Sequence, residues 1–204
     1  MKKIYFALIV LLFTISSFAQ NDAKAKFQKN KYELAISYYK KSDFKNALDL
    51  FSVASKIRPE NELGQESIKK VDTLKSILRK DIISKAVGIW KMTGDKPVWA
   101  VKDNVSKSCP TDQFVEITET QIVFYEQDKK TLTKKIIKTE ELVYYNKDKS
   151  DSLFSAIILS DGTIWNCNID DNGNVLHVIN IAKQTENGIE KINTENPEHF
   201  YVKV

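Results

Sequence analysis

Histidine is nearly missing from these 204 residues. His177 and His199 are the only two, too few for a zinc centre or a serine–histidine–aspartate relay. His177 lies inside an apolar run and is expected to be structural, with a satisfied hydrogen bond. His199 follows Pro197-Glu198 on an exposed approach to the last strand. There is no glycine-rich phosphate loop and no G-x-S-x-G elbow. The paired acids Glu140-Glu141 and Asp170-Asp171 are adjacent in sequence, not set across a cleft, so general acid–base work has no evident pair. Asn168-x-Asp170-x-Asn172-Gly173 begins like a calcium loop, but its closing acid would fall on Ile179. It reads as a β-hairpin turn. No enzymatic activity, metal or cofactor is therefore expected.

Cysteine is as scarce, with Cys109 and Cys167 alone. No segment after residue 20 is long and apolar enough to span a membrane as a helix. Lysine is plentiful from Lys129-Lys130 through Lys134-Lys135 to Lys138. Threonine and isoleucine intervene, as on an edge strand that lysines keep from self-pairing. Nucleic acid is not an expected partner, because binding it would call for more arginine and exposed aromatics.

The N-terminus has the layout of a secretory signal over residues 1–19. Lys2 and Lys3 precede the apolar run Ile4–Ile15, and Ser17-Phe18-Ala19 places small residues before a cleavage point at Gln20. A secreted or periplasmic location follows from that reading. Removing Lys2 and Lys3 lowers the formal charge from +4 to +2. What remains is divided: residues 20–85 hold 15 Lys/Arg against 9 Asp/Glu, and residues 86–204 hold 14 against 18. An oxidising compartment would permit one disulfide between Cys109 and Cys167, provided their Cα atoms come within bridging range.

With 42% hydrophobic and 28% charged residues, the chain can build a core. Its pattern changes character at Ala86-Val87-Gly88-Ile89-Trp90-Lys91-Met92. Before this stretch the periodicity is helical. Phe27, Leu34, Ala35, Tyr38 and Tyr39 recur at helical spacing, and Ser42-Asp43 offers a cap for a second helix. That helix should bury Ala47, Leu48, Phe51, Ala54 and Ile57 and stop before Pro59. A third should run from Glu62 to about Lys85, with Ile68, Val71, Leu74, Leu78 and Ile82 on one side.

Leu34, Ala35, Tyr38, Ala47, Phe51, Ala54 and Pro59 stand in the spacing of a tetratricopeptide repeat, and residues 28–61 resemble one such unit. The third helix departs from the pattern with Lys69 and Asp72, so it reads as a cap. The resemblance implies protein–protein binding, with Tyr39, Lys40, Asp43 and Lys45 as the expected partner-binding residues. A lone repeat must bury its remaining apolar face on something else.

After residue 86 short alternating runs are separated by turn signals such as Ser160-Asp161-Gly162-Thr163. They predict strands over 87–93, 97–102, 113–118, 120–127, 131–138, 141–146, 153–159, 163–169, 174–181, 187–193 and 198–203. Trp165, Cys167 and Ile169 should face inward together. At the C-terminus the apolar set is Phe200, Val202 and Val204.

Gly88-x-Trp90 opening this run resembles the first strand of lipocalin-like barrels, in which the tryptophan closes one end. No arginine lies beyond Arg79 to stack on it from a late strand, a departure from that family. The resemblance implies a small apolar ligand inside the β-domain, with Trp90, Trp99 and Trp165 as candidate lining. The expected architecture is thus α+β: a helical hairpin plus capping helix (20–85), then an antiparallel β-barrel or meander (86–204). The leading expectation is an exported protein-interaction module, and the alternative is a small-ligand binder.

Overall fold

The computed structural model describes residues 22–94, 110–146, 151–191 and 198–204. They form three helices followed by an antiparallel sheet. The chain divides into two compact units. One is helical, ending at Leu78 and including Asp151 and Ser152; the other is β-rich and begins at Arg79.

In the helical unit, α1 covers residues 22–40, α2 Phe44–Ile57 and α3 Glu62–Ala86, whose last residues belong to the β-rich unit. The turn after α1 closes with Asp43 N–H donating to Tyr38 O (3.0 Å), a bond from beyond the helix end that satisfies a terminal carbonyl. Asp43 then caps α2, its carboxylate accepting the Asn46 N–H at 3.3 Å, as the sequence predicts. Ala35, Ala47, Leu48, Phe51, Ala54 and Leu74 are fully buried. Small alanines let the helices approach, and the Tyr32 ring meets Phe51 edge-on at 5.4 Å.

Two expected core positions turn outward: Phe27 is 51% and Leu34 45% exposed. The buried stripe of α1 runs instead through Gln28 and Ala35, with Tyr32 and Tyr39 half-buried. On α3, Ser67 is buried where Ile68 was expected, and its hydroxyl donates to Leu63 O at 2.6 Å. Both helices carry overlapping stripes one residue apart. The polar member goes inside because its hydrogen bonds are satisfied there. Gln28 Nε2 donates to the carbonyls of Ala54 (2.9 Å) and Arg58 (3.1 Å), and Gln28 Oε1 accepts from Asn61 Nδ2 at 2.6 Å.

The β-rich unit contains β1 (Gly88–Gly94), β2 (Thr111–Ile117), β3 (Gln121–Asp128), β4 (Lys134–Glu141) and β5 (Val143–Tyr144). It continues with β6 (Ile157–Ile158), β7 (Thr163–Ile169), β8 (Val175–Thr185), β9 (Gly188–Lys191) and β10 (Glu198–Lys203). Strands are hydrogen-bonded in the order β4-β3-β2-β1-β10-β8-β7-β6-β5, and β9 pairs with the end of β8. Two consecutive meanders are joined by the C-terminal strand. The path is not closed. Nine antiparallel neighbours in a row leave β4 and β5 pointing the same way, and only Leu142 separates them in sequence.

The two meanders share the main core, and Tyr145, Ala156, Ile164 and Ala182 form a second, smaller cluster. Trp90, Val115 and Ile122 from the first meander share a cluster with Ile157, Trp165 and Val178 from the second. Phe124 and Trp165 meet edge-on with centroids 5.4 Å apart. Trp165, Cys167 and Ile169 do share the inward face.

The C-terminal strand differs from expectation. Tyr201, opposite Leu176 and Met92, joins the core. Phe200 is buried on the other face by stacking on His177, with centroids at 4.3 Å. Strand 153–159 is also shorter than expected, beginning as a 3-10 turn over Asp151–Leu153. At the marked hairpin Gly162 has φ +82°, and a Cβ there would lie 2.3 Å from Gln184 O. Only glycine fits.

Candidate functional site

The four residues expected to bind a partner have unequal roles. Asp43 is engaged in capping α2. Tyr39 packs against Phe44 with centroids at 5.6 Å and lies beneath the Lys70 ammonium at 5.2 Å. Lys40 and Lys45 are exposed. The largest apolar exposure on α1 is elsewhere, at Phe27 and Leu34, with the Lys31 ammonium 5.2 Å from the Phe27 ring. Periodicity alone predicts these two inside.

Asp151 gathers the other polar cluster of the helical unit. It accepts the Ser52 hydroxyl at 2.5 Å and pairs with Lys56 at 3.2 Å and with Lys75. Burial raises its carboxyl, but Lys75, Ser52 and Lys56 outweigh that and leave it below the ordinary value. Asp49 nearby moves the other way, raised by burial and by the Asp151 charge.

Trp90 is fully buried, and its indole N–H donates to Ala86 O at 2.7 Å. Lys203 of β10 supplies a cation 5.1 Å from the Trp90 ring and donates to Lys85 O at 2.9 Å. This late-strand cation is a lysine and not an arginine. Arg79 makes a similar tie: its guanidinium lies 4.3 Å over Tyr144 and donates to Phe154 O and Asn146 Oδ1, both at 2.7 Å.

Two hollows of the β-rich unit border the Phe124–Trp165 ring pair, one through Trp165 and the other through Phe124. The first, about 40 Å³, is bounded by Ile83, Ile122, Trp165, Cys167 and Val178. Burial pushes the Cys167 thiol up to about 12, so it stays protonated and poorly nucleophilic at neutral pH. Its expected partner Cys109, like Trp99, lies outside the described residues.

The second cavity, about 190 Å³, is bounded by Met92, Val115, Phe124, Tyr201, Glu126 and Lys138. The Glu126 carboxylate has no ion pair or hydrogen bond among the described residues, whereas Lys138 pairs with Glu140 at 3.1 Å. Trp90 borders neither cavity, and Trp165 borders only the first.

A third hollow follows the open seam between Thr139–Glu141 and Ile158–Ser160. Glu140 is buried there and accepts the Ser160 N–H and hydroxyl.

His177 bonds Glu198 through Nε2 at 2.9 Å, consistent with a structural role. Asp170 Oδ1 accepts the N–H groups of Asn174 (2.7 Å) and Val175 (2.8 Å), so the calcium-like segment is a hairpin turn. Among the described residues no group of three or more His, Cys, Asp or Glu side chains could hold a metal ion. No described helix is long and apolar enough to cross a membrane.

No protein-family model, curated protein or solved structure matches this chain.

Proposed function

We propose that the protein is an exported, non-enzymatic interaction module whose helical unit binds a protein partner. The observation that carries this reading is the outward apolar stripe of α1, Phe27 and Leu34, each about half exposed. Lys24, Lys26, Lys29 and Lys31 stand around it, with Glu33 as the nearby acid. An apolar anchor inside a basic rim suits an acidic, amphipathic helix, with the anchors carrying most of the affinity. The three buried alanines between α1 and α2 support the tetratricopeptide resemblance, and with it the partner class. Tyr39, Lys40, Asp43 and Lys45 then form the rim at the far end of α1, with Lys40 and Lys45 steering the encounter.

The test is partner capture by a double variant, Phe27→Ser with Leu34→Ser, in the full chain. Capture should fall at least tenfold while the thermal midpoint is unchanged or higher. Undiminished capture by a folded variant would refute the reading.

A second reading, small-ligand binding in the β-domain, draws support from the larger cavity. By volume alone, about 190 Å³ has room for a benzene-sized guest and about 40 Å³ has not. The site would then centre on Met92, Phe124 and Tyr201 rather than on the tryptophans. The Trp90–Lys203 stack supports the lipocalin-like resemblance behind this reading. Native mass spectrometry tests it: a retained small-molecule mass, lost when Met92→Phe fills the space, favours it over the first.

A further inference from the structure

The β3–β4 hairpin holds three large aliphatic side chains in water. Leu132 is 66%, Ile136 66% and Ile137 53% exposed, all within six residues. Leu132 stands in the turn and Ile136 and Ile137 in β4 directly after it, and such a concentration is uncommon in a surface with no task.

Leu132 is also conformationally costly. Its φ is +58°, in the left-handed region where glycine or asparagine is the ordinary occupant and a bulky side chain is an outlier. The surroundings over-determine that conformation. Asp128 Oδ1 accepts the N–H groups of Lys130 and Thr131, each at 2.8 Å, and the Thr131 hydroxyl at 3.1 Å. Leu132 N–H donates to Asp128 O at 3.0 Å, and Leu132 O accepts from Gln127 Nε2 at 3.0 Å. A leucine held outward in a strained turn points to a use for the side chain.

The charge around it is of one sign. Residues 128–138 contain five lysines and one acid, and that acid, Asp128, is engaged with the turn's own N–H groups. Lys129 and Lys138 pair with Asp112 (3.5 Å) and Glu140 (3.1 Å), and Lys134 sits over the Tyr125 ring at 4.6 Å. Lys130 and Lys135 pair with no acid among the described residues.

The edge of β4 does not suit a second copy. Lysines would face lysines, and a bulge leaves Ile137 without a cross-strand partner, interrupting any added ladder. A protein partner would have to supply a pocket for Leu132, which stands 66% exposed in the turn. A lipid surface needs none: aliphatic side chains enter the acyl boundary while lysine ammonium groups remain among the phosphates.

We propose that this hairpin is a docking point for an anionic lipid surface. Leu132 and Ile136 enter the membrane interface, and Lys130, Lys134 and Lys135 meet the headgroups.

The experiment is co-sedimentation of the full chain with phosphatidylglycerol–phosphatidylcholine vesicles and with phosphatidylcholine vesicles alone. Binding to the anionic vesicles, falling with added salt, is expected. Lys130→Gln with Lys135→Gln should weaken it by roughly 25-fold, about fivefold per lysine. Leu132→Asn should weaken it by about tenfold while leaving the thermal midpoint unchanged or higher, because asparagine accepts this φ. That pairing separates docking from folding. Absence of wild-type binding overturns the proposal. So does wild-type binding by Leu132→Asn, which would mean adsorption by charge alone. Tip variants that bind vesicles normally but lose capture of an acidic protein overturn it in favour of that protein.

Discussion

The carboxylate of Glu140 accepts both the backbone N–H of Ser160, at 2.8 Å, and its hydroxyl, at 2.9 Å. It does so at the seam where the ladder stops. β5 and β6 pair Val143 with Ile158 and Tyr144 with Ile157, and the same register would next set Leu142 opposite Leu159 and Glu141 opposite Ser160. Instead Leu142 N–H turns to Thr120 O at 2.8 Å, because β4 is already paired with β3. One carboxylate thus takes over the N–H of Ser160 that the sheet leaves unpaired. Glu140→Ala should cost about 1–3 kcal/mol, the worth of hydrogen bonds to a charged acceptor, with the exposed Ser160 left to turn its donors to water. Urea unfolding followed by tryptophan fluorescence measures it. A loss below a few tenths would show that water serves Ser160 as well.

The same carboxylate makes the seam acid-sensitive. Burial would raise its pKa, but the Ser160 N–H, Lys138 and the Ser160 hydroxyl outweigh burial and hold it below the ordinary 4.5. A depressed folded-state value contributes stability that is fully present above the unfolded-state pKa and is lost as pH falls through the folded one. The gap in thermal midpoint between wild type and Glu140→Gln should be constant above about pH 5.5. It should narrow steadily below about pH 4.5. A gap independent of pH down to 3 would contradict this assignment.

Lys203 joins the last strand to the first and to the end of α3. Its ammonium lies over Trp90 and donates to Lys85 O, one of the carbonyls at a helix C-terminus where a cation is favoured. Lys203→Met keeps the aliphatic stem and removes the charge. It should destabilise the β-rich unit by about 0.5–1.5 kcal/mol and shift Trp90 emission. Lys203→Arg should restore most of the loss, since guanidinium also stacks on indole. Failure of arginine to rescue would mean that the bond to Lys85 O, not the ring, carries the effect.

The sequence was most informative where one face is dry and the other wet. Trp165, Cys167 and Ile169 alternate with Asn166 and Asn168, and the strand has one low-energy orientation. It was least informative where both faces are apolar. Phe200 and Tyr201 are adjacent and both buried, so alternation could not choose, and the cross-strand partners His177 and Leu176 decided. Glu140 was legible only as one of two adjacent acids, because its role depends on Ser160, 20 positions away. Leu132 stood within a lysine-rich edge strand, and nothing in composition announces a positive φ. The partner surface of α1 was displaced for a similar reason. Phe27 and Leu34 are more hydrophobic than Gln28, and periodicity sends hydrophobic residues inside.

Gln28 gives the sharpest test of that displacement. A fully buried amide is costly unless its groups are paired. This one ties α1 to the end of α2 and to the turn before α3, through Ala54 O, Arg58 O and Asn61. Gln28→Ala removes the donor for two carbonyls, the acceptor for Asn61 Nδ2, and the packing of the side chain. The expected loss is about 2–4 kcal/mol, confined to the helical unit. Gln28→Leu restores volume but not hydrogen bonds, and it should recover less than half of the loss. Had Phe27 been the buried residue, Gln28→Leu would be harmless and Phe27→Ser severe. Helical circular dichroism in urea on the two variants therefore distinguishes the arrangements: the structure requires Gln28→Leu to unfold first, with Phe27→Ser close to wild type.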